Sequence, residues 1–579
     1  MRPGMMPRYL SVAALVLLVG CAIGGPVTPS QSSGSGQESG QSRTLVAAMA
    51  NEPPSIAALA PIAGGFGSNF SYRPFNAFIE LIDDRGVVRP YLVEALPALN
   101  TETWQVFPDG RMQTRYRLRP NLTWHDGAPF TAEDFVFAWQ VAMTPGLGFV
   151  NANAAPLTLI EEVRAPDDRT LIIEWHSLFP EAATMQQGGS ILGLPALPRH
   201  ILDVVHRAGN PDAFASHPYW TTGFVGNGPY RLERWEFGAF LEGTAFENHV
   251  LGRPKIDRLR IIFAEDSNVA LANLRAGTVH LAIDSAIDFP QALELKREWG
   301  PSNTGVFVPT ARSFRSIVFQ FRPEYVSPRS LLDLRVRKAL AHTIDRQALN
   351  EVLFGGEGRT TDTIFDADVD YYGRIDRALA KFPYDVRVSE RLMVEAGFTK
   401  GGDGTYAGAE GRFVADLRSG AGAEGDSERA ILASTWRQAG FDITETALSP
   451  AQSRDGEARG VFPGMYGQAT GAGETNQIAS FSSSQIAGPA NRWSGRNRQG
   501  WSHAEFDLLA EAFNKTLDPE QRIQQRVRMA QLLSEELPSI MLHYNLNPTV
   551  HLAALKGLVL SSTLSTGGTS WNMHEWELK

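Results

Sequence analysis

Three groups of residues in this 579-residue chain have the types and spacing from which chemistry is built. Gly420-Ala-Gly422-Ala-Glu-Gly425 has the Gly-x-Gly-x-x-Gly form that lets a backbone approach a pyrophosphate, and Asp442 and Glu445 follow where a ribose-binding acid would stand. Read alone it points to a dinucleotide; glycine-rich strand-to-helix turns are common, however, and a structural turn is the expected role. His125-Asp126 sets a base beside a carboxylate, yet adjacent residues on a turn seldom face each other, and Asp126-Gly127 suits a turn leading into a helix. Asp366-Ala-Asp-Val-Asp370 offers oxygens for a hard cation but lacks the glycine and terminal glutamate of a calcium loop, so a solvated acidic loop is expected. His125, His176, His200, His206 and His217 have no metal-ligand spacing. HExxH, the phosphate-binding GxxxxGK[ST] and a Gly-x-Ser-x-Gly elbow are all missing. These motifs therefore support neither a cofactor nor a metal site.

The elements that must position such residues alternate between short β-rich runs and helical patterns, which argues for α/β architecture. Strands are expected at Leu45–Met49, Met112–Leu118, Thr170–Trp175, Leu259–Phe263, Val279–Asp284, Ser316–Phe321 and Phe413–Leu417. Thr131-Ala-Glu-Asp134 has the form of a capping box for a helix through Trp139. Apolar spacing from Leu334 to Phe354 predicts one helix, capped by Asp333 and stopped by Gly355-Gly356. Asp518-Pro519 starts another that ends before Pro538.

The single cysteine, Cys21, closes an apolar run of about a dozen residues that follows Arg2 and Arg8, the layout of a secretory signal too short to span a bilayer comfortably. Leu18-Val19-Gly20-Cys21 matches the lipobox of bacterial lipoproteins, so Cys21 is expected to carry lipid after export and removal of residues 1–20. Residues 21–43 then form a flexible Gly/Ser/Gln tether with a root-mean-square span of roughly 25 Å. No other thiol remains for disulfides or thiolate metal sites. A net charge of −10 with no basic stripe excludes a nucleic-acid wrapper.

Trp124-His-Asp-Gly-Ala-Pro-Phe-Thr-Ala-Glu-Asp-Phe-Val-Phe-Ala-Trp139 resembles the "F-H-D-G-x-P-[FL]-T-A-x-D-V" signature of the extracellular solute-binding proteins of family 5, the peptide and nickel class that feeds ABC importers. Other blocks are similar and come in the family's order. They are Thr44 to Ser55, Gly226-Asn-Gly-Pro-Tyr-Arg-Leu-Glu-Arg-Trp235, Pro254 to Leu259, Asn268 to Gly277, Leu334 to Arg346, and Gly495 to Asp507 followed by Asp518-Pro-Glu.

The resemblance implies a periplasmic-binding-protein-like α/β fold of type II, with two lobes around a hinged cleft and an extra inserted subdomain. Lobe I would comprise 44–77, 219–310 and 540–579, with the subdomain at 78–218, and lobe II would be 311–539. Two strands near Gly305–Phe321 and Pro538–Leu552 would cross between them. It also implies a cleft lined by Ile62 to Ser68, with Ile62, Gly65 and Phe66 as contacts, and by the strip from Tyr466 to Asn476, with Tyr466, Gln468 and Glu474. Trp493 and Tyr544 would face it from a later loop and the second crossing strand, core packing being the other role open to each aromatic; Trp436 is expected in the core.

The peptide binders' aspartate for the ligand's α-amino group has no counterpart in Gln468–Gly473, although Glu474 stands next. His280 replaces another common aspartate, in a strand where a structural role is expected. The implied function is a lipid-anchored, extracytoplasmic binding component of an ABC importer, held at the periplasmic side or outer face of the cell membrane. It would act as a monomer, capturing a peptide-like solute and delivering it to the permease subunits. A non-transport receptor or chaperone on the same fold, or an enzyme using the glycine-rich loop, are the rival classes.

Overall fold

The backbone of the computed structural model is organised by one mixed sheet, and the structure describes residues 43–61, 69–149, 155–185, 193–471, 473–560 and 569–579. The expectations for Cys21, the signal and the tether, and for Ile62, Gly65 and Phe66, lie outside the described residues. Ser42–Lys579 forms one compact unit. Its ten-stranded sheet consists of β1 (Thr44–Met49), β2 (Tyr230–Glu236), β3 (Phe240–Ala245), β4 (Arg258–Phe263), β5 (Leu281–Ala282), β6 (Gly305–Phe319), β7 (Val414–Gly420), β8 (Asp442–Leu448), β9 (Met465–Gly471) and β10 (Ser539–Leu552). The spatial order is β8-β7-β9-β6-β10-β5-β1-β4-β3-β2.

The chain's apolar patterning assigns the two ends of this sheet to different cores. β1 lies between parallel partners β4 and β5 and is apolar on both faces, as a doubly covered strand must be. Its side of the sheet shares a large core with a separate four-stranded antiparallel sheet (104–106, 112–117, 170–175 and 160–167) and with helix Glu133–Ala142. The other core, around Ile317, Leu340, Leu417 and the fully buried Trp436, fills the face of β6, β7 and β9 covered by helices Leu334–His342, Val386–Glu395 and Ala423–Ala439. These are two lobes.

Between them run β6 and β10, which pair antiparallel from Gly305↔Leu552 to Val318↔Ser539. β10 reaches lobe I through β5, and β6 reaches lobe II through β9. In the middle Pro309 stands opposite Pro548, and register shifts follow at Ala311/Ser313 and Arg315/Ser316. The run read as Ser316–Phe321 is thus the end of a 15-residue strand. Its earlier half escapes periodicity because it changes lobes, and therefore burial partners, midway.

The remaining differences from expectation are local. The helix predicted over Leu334–Phe354 is two, Leu334–His342 and Arg346–Phe354, because Asp345 accepts from the Gln347 and Ala348 N–H groups and caps a new start. Asp333 and Gly355, the latter at φ 56, act as cap and stop as expected. Thr131 does not cap with its side chain; Asp134 accepts from the Thr131 N–H instead, and also from Trp124 Nε1 and the Arg199 N–H. The strand at Val279–Asp284 shortens to Leu281–Ala282, and His280 Nδ1 accepts from the Val46 N–H at 3.0 Å.

Candidate interlobe binding site

The blocks around His125 and Gly226 are partners in space and build the lobe I frame. His125 Nε2 donates to the Gly228 carbonyl at 2.9 Å, and its Nδ1 accepts from the Gly226 N–H at 3.2 Å. Burial pushes its pKa down to about 4, so the ring is neutral and bound on both nitrogens, as a structural histidine is. A Cβ on Gly226 would lie 2.0 Å from the Phe75 carbonyl oxygen, which explains glycine there. A groove of about 550 Å³ lined by His125, Arg231, Phe246 and Arg253 lies on this frame, away from the Tyr466 strip.

On lobe II, side chains alternate along β9. Met465 enters the helix-covered core, while Tyr466 and Gln468, both buried, occupy the opposite face. Tyr466 packs with Val318, Leu448 and Phe462, its ring 5.6 Å from that of Phe462. β7 pairs with β9 only from Leu417↔Met465 to Ser419↔Gly467. From Gln468 to Gly471 the strand keeps β6 on one edge, and the other edge pairs with no strand among the described residues. Ala469 and Gly471 are exposed there.

Glu474 opens helix Glu474–Ala479 and is already occupied. Both its oxygens accept from Arg526, the second at 2.7 Å, and Arg522 stands 3.9 Å away. Arg522 in turn donates to Glu181 of lobe I at 2.7 Å. The two guanidiniums lie over the Phe513 ring, at 3.8 Å and 4.8 Å. Leu517 packs against the lobe I core beside them. The lobes therefore touch on this rim through a charge-balanced ladder, two arginines against two glutamates.

Tyr544 is fully buried, with its hydroxyl accepting from the Ala367 N–H at 3.0 Å and its ring 5.5 Å from that of Phe314. Arg359 lies over that ring and pairs bidentately with Asp368, so the acidic run at 366–370 is tied to this arginine. Trp493 is half-buried and seats on helix Gly456–Gly460, where a Cβ on Gly460 would come within 2.9 Å of its ring.

The loop that carries Trp493 is fixed by residues that spacing alone did not single out. Arg322 is sandwiched near Tyr325 and Trp493, at 4.9 Å and 5.6 Å from their centroids, and donates to the carbonyls of Gly460, Ala487 and Arg498. Asn497 donates to Ser482 and Trp501 carbonyls, and Gln499 to that of Ser480. The signal for Asn497 and Gln499 is the string Arg496-Asn-Arg-Gln499, a cation/amide alternation.

The glycine-rich run leads from β7 into helix Ala423–Ala439. The acids that would serve a ribose are engaged elsewhere: Asp442 with Arg412, and Glu445 with Arg437 and Arg429. Among the described residues no cluster of histidine, cysteine and acids is arranged to hold a metal, and no helix is long and apolar enough to cross a membrane.

Two lobes joined by crossing strands define the class of two-lobed solute-binding proteins. The family model for bacterial extracellular solute-binding proteins, family 5 Middle, matches residues 94–487, and the chain belongs to that family. A Brucella ovis protein named for peptide binding in an ABC transporter is 26% identical over 341 residues, covering 58% of this chain. That match spans 59% of the relative's own length. Among solved structures, NikA from Brucella suis in complex with Fe(III)-EDTA has a TM-score of 0.74 at 16% identity, covering 92% of this chain and 100% of its own. The oligopeptide-binding protein AppA from Bacillus subtilis, in complex with a nonapeptide, gives 0.68 at 19% identity, covering 93% and 100%.

Proposed function

We propose that this protein is the substrate-binding component of an ABC importer, that it captures an extended peptide-like solute between its lobes, and that Cys21 anchors it by lipid to the outer side of the cell membrane. The observation that carries the reading is the open edge of β9 from Gln468 to Gly471. An extended peptide can add to such an edge by main-chain hydrogen bonds, which are indifferent to sequence. Gln468 presents a buried amide on the same strip, and Ala469 and Gly471 leave room for a second backbone. The named ligands of the relatives support a small-solute role, and the nonapeptide in AppA supports a peptide.

Capture without covalent change suits a cleft that closes when a solute touches both lobes. Delivery to permease subunits, action as a monomer and a residence outside the cytoplasm follow from the same reading, as do lobe boundaries at 310/311 and 539/540 and a subdomain at 78–218. Ile62, Gly65, Phe66, Tyr466, Gln468 and Trp493 remain the proposed contacts. Glu474 and Tyr544 would act from behind, through Arg526 and Ala367.

Native mass spectrometry of the purified protein tests this. A co-purifying peptide, or saturable binding of a mixed peptide library, is expected; failure to bind any peptide overturns the peptide assignment. Cys21→Ser should abolish incorporation of labelled fatty acid, and labelling that persists would refute the anchor.

A further inference from the structure

Around Arg498, lobe II carries positive charge that no carboxylate among the described residues balances. Arg496 and Arg498 belong to a loop held from within by its alternate residues, since Asn497 and Gln499 are fully buried and bonded to backbone. The two arginines are less covered, Arg496 exposed and Arg498 half-buried, and the field of Arg496 reaches Arg498. Arg322 grips the Arg498 carbonyl at 2.6 Å, so the base of that side chain is fixed. A Cβ on Gly500, at φ 72, would come within 2.5 Å of the Arg322 stem, so the bend after the pair also requires its glycine.

The titratable neighbours of Arg498 are Arg459, Tyr466 and Arg496, and none is a carboxylate. Burial, with the fields of Arg459 and Arg496, lowers its pKa to about 10, which leaves it protonated at neutral pH. Neither Arg496 nor Arg498 makes a side-chain hydrogen bond or ion pair among the described residues. Such a cluster in a chain of net charge −10 runs against the overall field. Earlier in the chain, by contrast, Glu474 is consumed by Arg526 and cannot serve a cation.

We propose that Arg496 and Arg498, with Arg459 behind them and Tyr466 beside them, form a subsite for a carboxylate, and that the solute this cleft selects is anionic. A planar guanidinium takes a carboxylate through two parallel hydrogen bonds, and two fixed guanidiniums need no reorganisation to do so. The carboxylate can be a peptide's C-terminus, an acidic side chain, or part of a small acid. The inference deepens the peptide reading above but does not share all its consequences.

The test uses the purified protein, three tetrapeptides and citrate. Tetra-alanine with a free C-terminus, its C-terminal amide, and the amide with one internal glutamate separate the sources of the carboxylate. Binding is measured by calorimetry at two salt concentrations for the wild type, for R496Q/R498Q, and for R391Q as an exposed control on the far face. The double variant should lose roughly tenfold to a hundredfold in affinity for carboxylate-bearing peptides, with a flatter salt dependence, and leave the neutral amide unchanged.

Equal losses on charged and neutral peptides, or none, overturn the carboxylate subsite and leave the peptide reading standing. If no peptide binds, thermal stabilisation by citrate that is lost in R496Q/R498Q and kept in R391Q sustains the subsite while the peptide reading falls. If no carboxylate probe binds or stabilises the wild type, the subsite falls.

Discussion

The ladder Glu181–Arg522–Glu474–Arg526 and the cluster Arg459–Arg496–Arg498 use the same residue type, yet only the first is complete. In the ladder each guanidinium has a carboxylate and an aromatic face. In the cluster the cations meet one another. Burying unlike charges together is close to neutral in free energy, whereas keeping like charges together costs stability unless something else neutralises them. The difference separates charges that hold the fold from charges held ready for something outside it.

The strongest way to break that distinction is to unbalance a finished site. Glu428 is buried between Arg315 and His543, 2.5 Å and 3.0 Å away, and Arg315 with its guanidinium and His543 hold its pKa down to about 2 against burial. Glu428→Gln should lower unfolding free energy by about 3–5 kcal/mol, because it strips the carboxylate from a buried cation. Urea denaturation measures this. Since the folded pKa lies below the usual 4.5, the wild-type contribution is present above pH 4.5 and is lost as pH falls toward 2. Thermal melts of wild type should therefore drop through that window, and those of Glu428→Gln should drop less.

Removing the post beneath the unfinished site comes next. Arg322→Ala abandons the carbonyls of Gly460, Ala487 and Arg498 and should cost about 2–3 kcal/mol. Hydrogen exchange should quicken at 485–500 before it does in the lobe II core. Glu181→Gln, which weakens the rim contact while Arg522 keeps the Phe513 carbonyl and Glu474, should cost about 1–2 kcal/mol. Its signature is shape: small-angle scattering should show a larger radius of gyration in the solute-free protein, and an unchanged radius would mean that the ladder does not hold the lobes together. Lys515→Ala should leave the melting temperature where it is, since its partner Glu511, at 2.9 Å, is fully solvated one turn along the helix.

Local chemistry made much of the framework legible. Asp333 and Asp518 announced helix starts because a short acid satisfies N–H groups within three residues, and β1 stood out because both its faces are apolar. Asp345 was missed because the apolar spacing runs on across the break it makes. The candidate strip was legible as a location but not as chemistry. Glu474 reads as a free carboxylate until Arg522 and Arg526, some fifty positions later, fold back onto it. Arg496 and Arg498 carry no such warning, since being unpaired is a property of everything around them and not of their own segment.

The opposed prolines of the crossing strands have a mechanical consequence. On β10 the residues whose N–H groups point sideways include Tyr544, bonded to the Arg359 carbonyl at 2.8 Å, and Leu552, bonded to that of His280 at 2.9 Å. Position 548 belongs to the same alternation, and proline offers no donor there. The waist of the sheet cannot recruit a third strand on that edge, so the molecule narrows to a ribbon where it must flex. A ribbon of two strands twists more freely than a broad sheet. The opposed prolines themselves carry no N–H for a ladder bond, so bending at this crease has least to break there, and the energy that decides between open and shut falls mostly to the facing walls.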